Sequence, residues 1–244
     1  MTSLMGSLSR LFGLEAKNPL KRRARYAGEK MKVRNLVVGM LGLAAILLLS
    51  GCAVGNKHNY HESIAHIEAA NDLSFAVAAQ DQRPYVLSGN KAPNFVGLQR
   101  GGFGNPFDVT TESGNPLADD IAASVARSIS ESGANVSTVS VSPSLSQEQA
   151  VYELKSTGAD RLLLLIFTEW KTDTFNNTAL LYDMTAYVRD AEGRPIAESA
   201  IRGRDNLGGS MFNPPSHAKS AVPLAFRKKI EELLNSHQVA GALK

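Results

Sequence analysis

The chain holds one cysteine in 244 residues, Cys52, and its neighbours decide what that sulfur can do. A lone thiol has no partner for a disulfide within the chain, which leaves a nucleophile or an attachment point. Ser50 and Gly51 stand immediately before it, small enough to enter the narrow cleft of a peptidase. Residues 36–49, LVVGMLGLAAILLL, precede them and carry no charge. About 14 such residues fall short of the ~20 that a membrane-spanning helix needs and suit the core of a secretory signal. Lys32 and Arg34 supply the positive flank that keeps the start of such a segment in the cytoplasm.

Leu49-Ser50-Gly51-Cys52 resembles the lipobox of bacterial lipoproteins. The resemblance implies cleavage between Gly51 and Cys52 and covalent lipid, palmitate included, on the Cys52 thiol. Ala53 in place of Asp implies, among Gram-negative lipoproteins, delivery to the outer membrane with the mature domain facing the periplasm. An ordinary membrane anchor that happens to contain a cysteine is the alternative. Charge, length, small residues and cysteine all favour the lipoprotein. Residues 31–51 then form the signal peptide. Residues 1–30, with Lys21-Arg22-Arg23-Ala24-Arg25, are either a basic leader extension or sequence before a start at Met31.

This division changes the charge. Nine of the 26 Lys/Arg and two of the 23 Asp/Glu lie before Cys52, so 17 basic and 21 acidic residues remain, a net charge of −4. No basic patch points to nucleic acid.

Other candidate chemistry is weaker. His58, His61 and His66 lack the acidic or thiolate companions of a metal site, and the sequence predicts no metal and no cofactor beyond the lipid. Gly208-Gly209-Ser210-Met211 lacks the closing glycine of a nucleophile elbow. Ser216-His217 is adjacency, not a triad. The loop Gly101 to Gly104 continues Asn105-Pro106-Phe107 without the Gly-Lys-Ser/Thr of a phosphate loop. Asp81 with Arg83 reads as a strand-end ion pair, and Asp119 with Asp120 as favourable charge at a helix start. Two loops share a Gly-Gly, Phe, Asn-Pro character: residues 101–107 and 208–215. Exposed aromatics on such turns anchor partners at small entropic cost, so Phe103, Phe107, Met211 and Phe212 are expected to line one partner or ligand surface.

The elements that position these residues follow from hydrophobic period. Residues 52–71 read as the lipidated cysteine and a polar, solvated tether that turns helical over 61–70. Residues 73–79 fit a first strand, 85–87 and 95–98 short strands, and 101–106 a loop. Leu117, Ile121, Val125 and Ile129 recur every four residues on an amphipathic helix, with Asn115 as its cap and Gly133 at its close. Residues 136–141 alternate as a half-buried strand. A helix over about 145–157 carries capping-box spacing at Ser144/Gln147 and Ser146/Gln149. Residues 162–167 form a central strand buried on both faces, 181–188 a strand, 190–193 a hairpin turn, and 196–201 another strand. Val222, Phe226, Ile230 and Leu233 mark a final helix whose start is obscured by Pro223.

The expected fold is α/β (α+β) over residues 72–240, a single mixed sheet with about three helices packed on it, closing in an antiparallel meander. Asp81-Gln82-Arg83, Ser132-Gly133-Ala134-Asn135-Val136, Gly158-Ala159-Asp160 and Asp190-Ala191-Glu192-Gly193 resemble motifs of YajG-like lipoproteins and the N-terminal domain of TolB. The resemblance covers roughly residues 73–235 and implies an envelope accessory or scaffold. The functional expectation is a non-enzymatic outer-membrane lipoprotein, held to the membrane by its lipid and binding an envelope protein partner. The alternatives are an envelope glycan or lipid hydrolase, or a periplasmic carrier of a small apolar ligand.

Overall fold

The computed structural model describes residues 56–244. The leader, the signal peptide, Gly51 and Cys52 lie outside the described residues. Eight strands and five helices follow in chain order: β1 Lys57–His58, β2 Ser74–Asp81, α1 Pro84–Leu87, β3 Phe95–Arg100, β4 Pro106–Thr111, α2 Leu117–Ser130, β5 Asn135–Thr138, α3 Gln147–Lys155, β6 Arg161–Thr174, β7 Asn177–Asp190, β8 Pro195–Gly209, α4 Pro214–Leu234 and α5 His237–Ala242.

The apolar run Leu162 to Phe167 forms the first half of β6, which organises the sheet. One edge of β6 pairs antiparallel with β7 along its length, and β7 pairs antiparallel with β8. The other edge is shared. Arg161 to Phe167 pairs parallel with β2, which carries β5 on its far side. Thr172 to Thr174 pairs parallel with β3, followed by β4 and β1. The sheet is therefore forked and mixed. The antiparallel run β6–β7–β8 is only one arm of it, and five helices accompany it where the pattern predicts three.

A bulge at Thr168 lies at the fork, where the β6–β7 register shifts between Phe167 and Glu169. One extra residue reverses the alternation. Leu163, Leu165 and Phe167 share a core with Trp170, Thr172 and Thr174, all buried, where an unbroken strand would send the second trio to the other face. That core lies under α2, α4 and α5. The opposite face is smaller: Ala76, Ala78, Leu162 and Leu164 pack against Ala150 and Leu154 of α3.

Between the last β2 pair, Asp81 with Phe167, and the first β3 pair, Gly97 with Thr172, β6 has no ladder partner on this edge among the described residues. Arg83 fills the gap. Its guanidinium is fully buried and uses every donor. Nε and one Nη2 bond go to Asp81 at 2.8 and 2.6 Å, Nη1 to the carbonyls of Phe95 and Trp170 at 2.6 and 3.1 Å, and Nη2 to that of Pro93 at 3.3 Å. Burial opposes the charge, but the hydrogen bonds and charge of Asp81 outweigh it and hold the guanidinium above its usual pKa. The expected strand-end ion pair is present, and it spans both branches.

Several local readings are corrected. Residues 85–87 are helical, because Pro84 fixes the first turn of α1. Residues 106–111 form β4 instead of continuing a loop. Pro116, not Asn115, occupies the start of α2, and Asn115 gives its N–H to Ser113 Oγ. Strand β5 stops at Thr138, three residues early, whereas β6, β7 and β8 all run longer than their apolar cores. Ser146 and Gln149 form the capping box of α3. Helix α4 begins at Asn213-Pro214-Pro215 and runs through Pro223.

Residues 56–71 are not helical, and only part of the segment faces solvent. His58, Tyr60, Ala65 and Ile67 are buried. The backbone is satisfied by two helices: Ala65 N–H bonds Ser128 Oγ at 2.9 Å, His66 N–H bonds Glu231 Oε1 at 2.9 Å, and Asn235 Nδ2 bonds the His66 carbonyl at 2.9 Å. The segment straps α2 to α4.

Replacing Arg83 by Met would leave the Asp81 carboxylate with only the backbone N–H of residue 83 and would take the guanidinium from the carbonyls of Phe95, Trp170 and Pro93, the last of which keeps Leu117 N–H. Loss of one partner from a buried pair costs about 3–5 kcal/mol. Urea unfolding of Arg83→Met should show a loss of that order, and a change under 1 kcal/mol would contradict the role given to the fork.

Candidate functional site

Three loops meet at one end of the sheet. Gln99 pairs with Thr174 and Asn177 with Gly209, so the β3–β4 hairpin, the β6–β7 turn and the β8–α4 loop emerge side by side. Local chemistry shapes each. In the hairpin Gly104 takes φ +82°, and Gly101 donates to the Asn105 carbonyl at 2.9 Å. In the turn Phe175 N–H bonds the Asn177 carbonyl at 3.0 Å, and Ser210 N–H reaches the Asn176 carbonyl at 3.2 Å. In the last loop Asn213 caps α4 by accepting from Ser216 N–H at 3.1 Å. A two-pronged Arg100–Asp173 pair, at 2.8 and 2.6 Å, ties β3 to β6 just below the hairpin.

Of the four apolar residues singled out from the sequence, Phe103 is 100% exposed, Phe212 99% and Met211 91%. Phe107 differs. It is partly buried and lies over Gly101, where an added Cβ would stand 3.1 Å from its ring. The structure brings the first three to one end and turns the fourth inward. It adds Phe175, 43% exposed, on the turn between them. An apolar residue followed by Asn176-Asn177 was the available signal for that position.

The other candidates are held in structural roles. Asp120 is buried and accepts from Ser113 Oγ at 2.8 Å on both oxygens; burial, partly offset by that bond, raises its pKa. Asp119 accepts from Ser140 Oγ at 3.1 Å. His217, in the first turn of α4, donates from Nε2 to the Leu207 carbonyl at 3.0 Å. The three early histidines have separate surroundings: His58 is buried, His61 stands against Arg127 at 3.2 Å, and His66 is exposed. Among the described residues no three His, Cys, Asp or Glu side chains gather as metal ligands, and no helix is long and apolar enough to cross a membrane.

Two open grooves flank α4. One, of about 620 Å³, runs along residues 64–70 and is rimmed by Glu131, Arg227, Glu231 and Lys244. The second, of about 660 Å³, lies between Arg204 to Leu207 of β8 and Leu224 to Glu232 of α4. Among the described residues strand β8 pairs only with β7, and no strand covers its outer edge over residues 195–206, whereas His217 takes the Leu207 carbonyl. Lys229 closes one side of this groove, bonded to Tyr182 Oη at 2.9 Å and Glu232 at 2.8 Å and paired with Asp205 at 3.0 Å.

Sequence reasoning also missed a buried aromatic cluster. His58, Tyr60, Trp170 and Phe226 meet edge to face with centroids 5.1 to 6.4 Å apart. Among the described residues neither His58 nitrogen has a hydrogen-bond partner, and Tyr60 and Trp170 approach without completing a well-formed bond. Burial lowers the His58 pKa to about 4.

No family model and no curated protein matches the sequence. Solved structures similar to the chain include a Xanthomonas campestris protein described by the family model DUF330, at 12% identity and TM-score 0.43, covering 77% of this chain and 94% of that one. The PelC dodecamer from Paraburkholderia phytofirmans is similar at 16% identity and TM-score 0.37, over 71% and 93% of the two chains. Lipoprotein GNA1162 from Neisseria meningitidis is similar at 14% identity and TM-score 0.27, over 67% and 98%. None of the three is described as YajG-like or as TolB, so that resemblance stays with the sequence motifs.

The His58 value has a consequence for stability. Unfolded histidine titrates near 6.5, so as pH falls the unfolded chain takes up the proton first. The contribution present at neutral pH is lost as pH drops from about 6.5 through about 4, by about 3 kcal/mol in full. Denaturation of the protein across that window should show the slope, and His58→Leu should flatten it. An unchanged slope in the variant would place the titration elsewhere.

Proposed function

We propose that the chain is an outer-membrane lipoprotein, anchored by lipid on Cys52, whose periplasmic domain holds envelope protein partners without chemistry of its own. The observation that carries the reading is the uncharged apolar run that ends in Leu49-Ser50-Gly51-Cys52. Four residues after Cys52, Asn56 is held to the domain, its side chain bonding the Pro215 carbonyl at 2.6 Å. A cysteine so placed suits the lipidated first residue of a mature protein. Ala53 supports the outer membrane as its destination.

Binding is favoured over catalysis by what the acids do. Asp81, Asp119 and Asp120 are each engaged in a structural hydrogen bond, which argues against these residues as the acids of a hydrolase. The apolar-carrier reading is disfavoured by the charged rims of both grooves. The outer edge of β8 over residues 195–206, unpaired among the described residues and beside a groove formed with α4, suits the extended segment of a partner, which can add as a further strand.

Cys52→Ser should accumulate as uncleaved precursor in the inner membrane, and lipid-labelled mature protein from that variant would refute the anchor. A photo-crosslinking residue at Arg204 or Leu224 in intact cells should trap a discrete envelope protein, whereas one at Glu153, on α3, should not. Equal trapping at all three positions would remove β8 and α4 as the contact.

A further inference from the structure

We infer that the end of the sheet bearing Phe103, Phe175, Met211 and Phe212 seats on the lipid bilayer, with Phe103, Met211 and Phe212 inserted at the boundary of headgroups and acyl chains. This rests on the reading of Cys52 as lipidated.

Exposure is the first ground. Three large apolar side chains stand more than nine-tenths exposed on loops held in place by hydrogen bonds and a paired Arg100, so they are presented to a surface outside the described domain. Charge is the second. Residues 101–107, 175–177 and 207–215 contain no charged side chain; Gly, Asn, Ser and Pro frame the apolar ones. The opposite end, where β6 begins and β7 turns into β8, carries Asp160, Arg161, Asp190, Glu192 and Arg194. Charge is what an interface of acyl chains admits at greatest cost, while amide and hydroxyl groups bond to headgroups.

The path of the chain is the third ground, and it selects the bilayer over a protein. Asn56 is fixed to Pro215, three residues beyond Phe212. Four peptide links separate Cys52 from Asn56, and fully extended they reach about 14 Å at most. A lipid held at Cys52 therefore keeps this same end close to the membrane. A folded partner about 30 Å across does not fit into a gap of that size. With anchor and loops on one short leash, contact of the loops with lipid is an intramolecular event, favoured by high effective concentration. The lipid fixes the protein to the membrane, and the loops fix its orientation.

The test uses mature lipidated protein in vesicles of phosphatidylethanolamine and phosphatidylglycerol. With Cys52 acylated the protein has no free thiol, so Phe103→Cys, Phe212→Cys and Glu192→Cys each take one environment-sensitive dye. All three sites are exposed, so labelling should leave the fold intact. Dyes at 103 and 212 should shift to shorter wavelength and resist quenching by aqueous iodide several-fold better than the dye at 192. Equal quenching at the three sites would overturn the inference while leaving the anchor standing. So would a shift that appears only after envelope proteins are added, which would make the surface a protein contact. Uptake of dye by the wild-type protein would mean that Cys52 is free, and the anchor and this inference would fail together.

Discussion

The guanidinium of Arg83 is the contact on which the architecture depends. A sheet that forks leaves a stretch of its central strand without a neighbour, and the backbone groups there must bond to something or go unsatisfied in the core. At this fork the gap spans the Thr168 bulge, and the missing ladder is replaced by one side chain that reaches β6 through Trp170, the entry to β3 through Pro93 and Phe95, and β2 through Asp81. Only arginine has five donors in a rigid fan able to meet three strands at once. Lysine would carry the charge without the reach. The cost of burying that charge is met by Asp81, itself at the last position of β2, so strand end and ion pair define each other.

The second branch inherits its position from this fork. Strand β3 approaches β6 so closely at Gly97 that any Cβ there would overlap Thr172, and Arg100 pairs with Asp173 farther along. These contacts bring the β3–β4 hairpin level with the β6–β7 turn. The antiparallel arm fixes the β8–α4 loop to the same turn through Gly209, which lies against Asn176 with no room for a side chain. Two independent arms of the sheet therefore deliver exposed apolar residues to one end. The alignment is a product of pairing register, not of flexible loops.

Much of this was legible in the residues themselves. The four-residue spacing of Leu117, Ile121, Val125 and Ile129 marks α2, the unbroken run Leu162 to Phe167 marks the buried centre of β6, and the Gly-Gly, Phe, Asn-Pro loops mark Phe103, Met211 and Phe212. What escaped was decided by tertiary contact. Residues 61–70 contain enough alanine and glutamate to suggest a helix, yet Ala65, Ile67 and Ala69 alternate with His66 and Glu68, and α2 and α4 supply partners to the extended backbone. The long polar extensions of β6, β7 and β8 lack an apolar signal because half their residues face solvent or ion pairs. The fork left no local trace either, since a bulge at Thr168 changes which face Trp170 occupies without changing composition.

The strap at residues 56–71 is part of the core as well as a link between helices. His58 and Tyr60 enter the core beside Trp170 and Phe226, so the segment contributes aromatic surface and is not merely laid across the outside. Burying an imidazole without a partner costs the hydrogen bonds of its neutral form and penalises the charged form further, so at neutral pH the ring is uncharged and packs as an aromatic. A chain entering the fold this way, pinned at Asn56 and again at His58 and Tyr60, transmits any pull on its start to the sheet and to α4. Under the lipoprotein reading, the anchor then acts on a rigid body whose uncharged end is the one nearest the tether. Under the same reading, orientation at the membrane follows from the packing that stabilises the core.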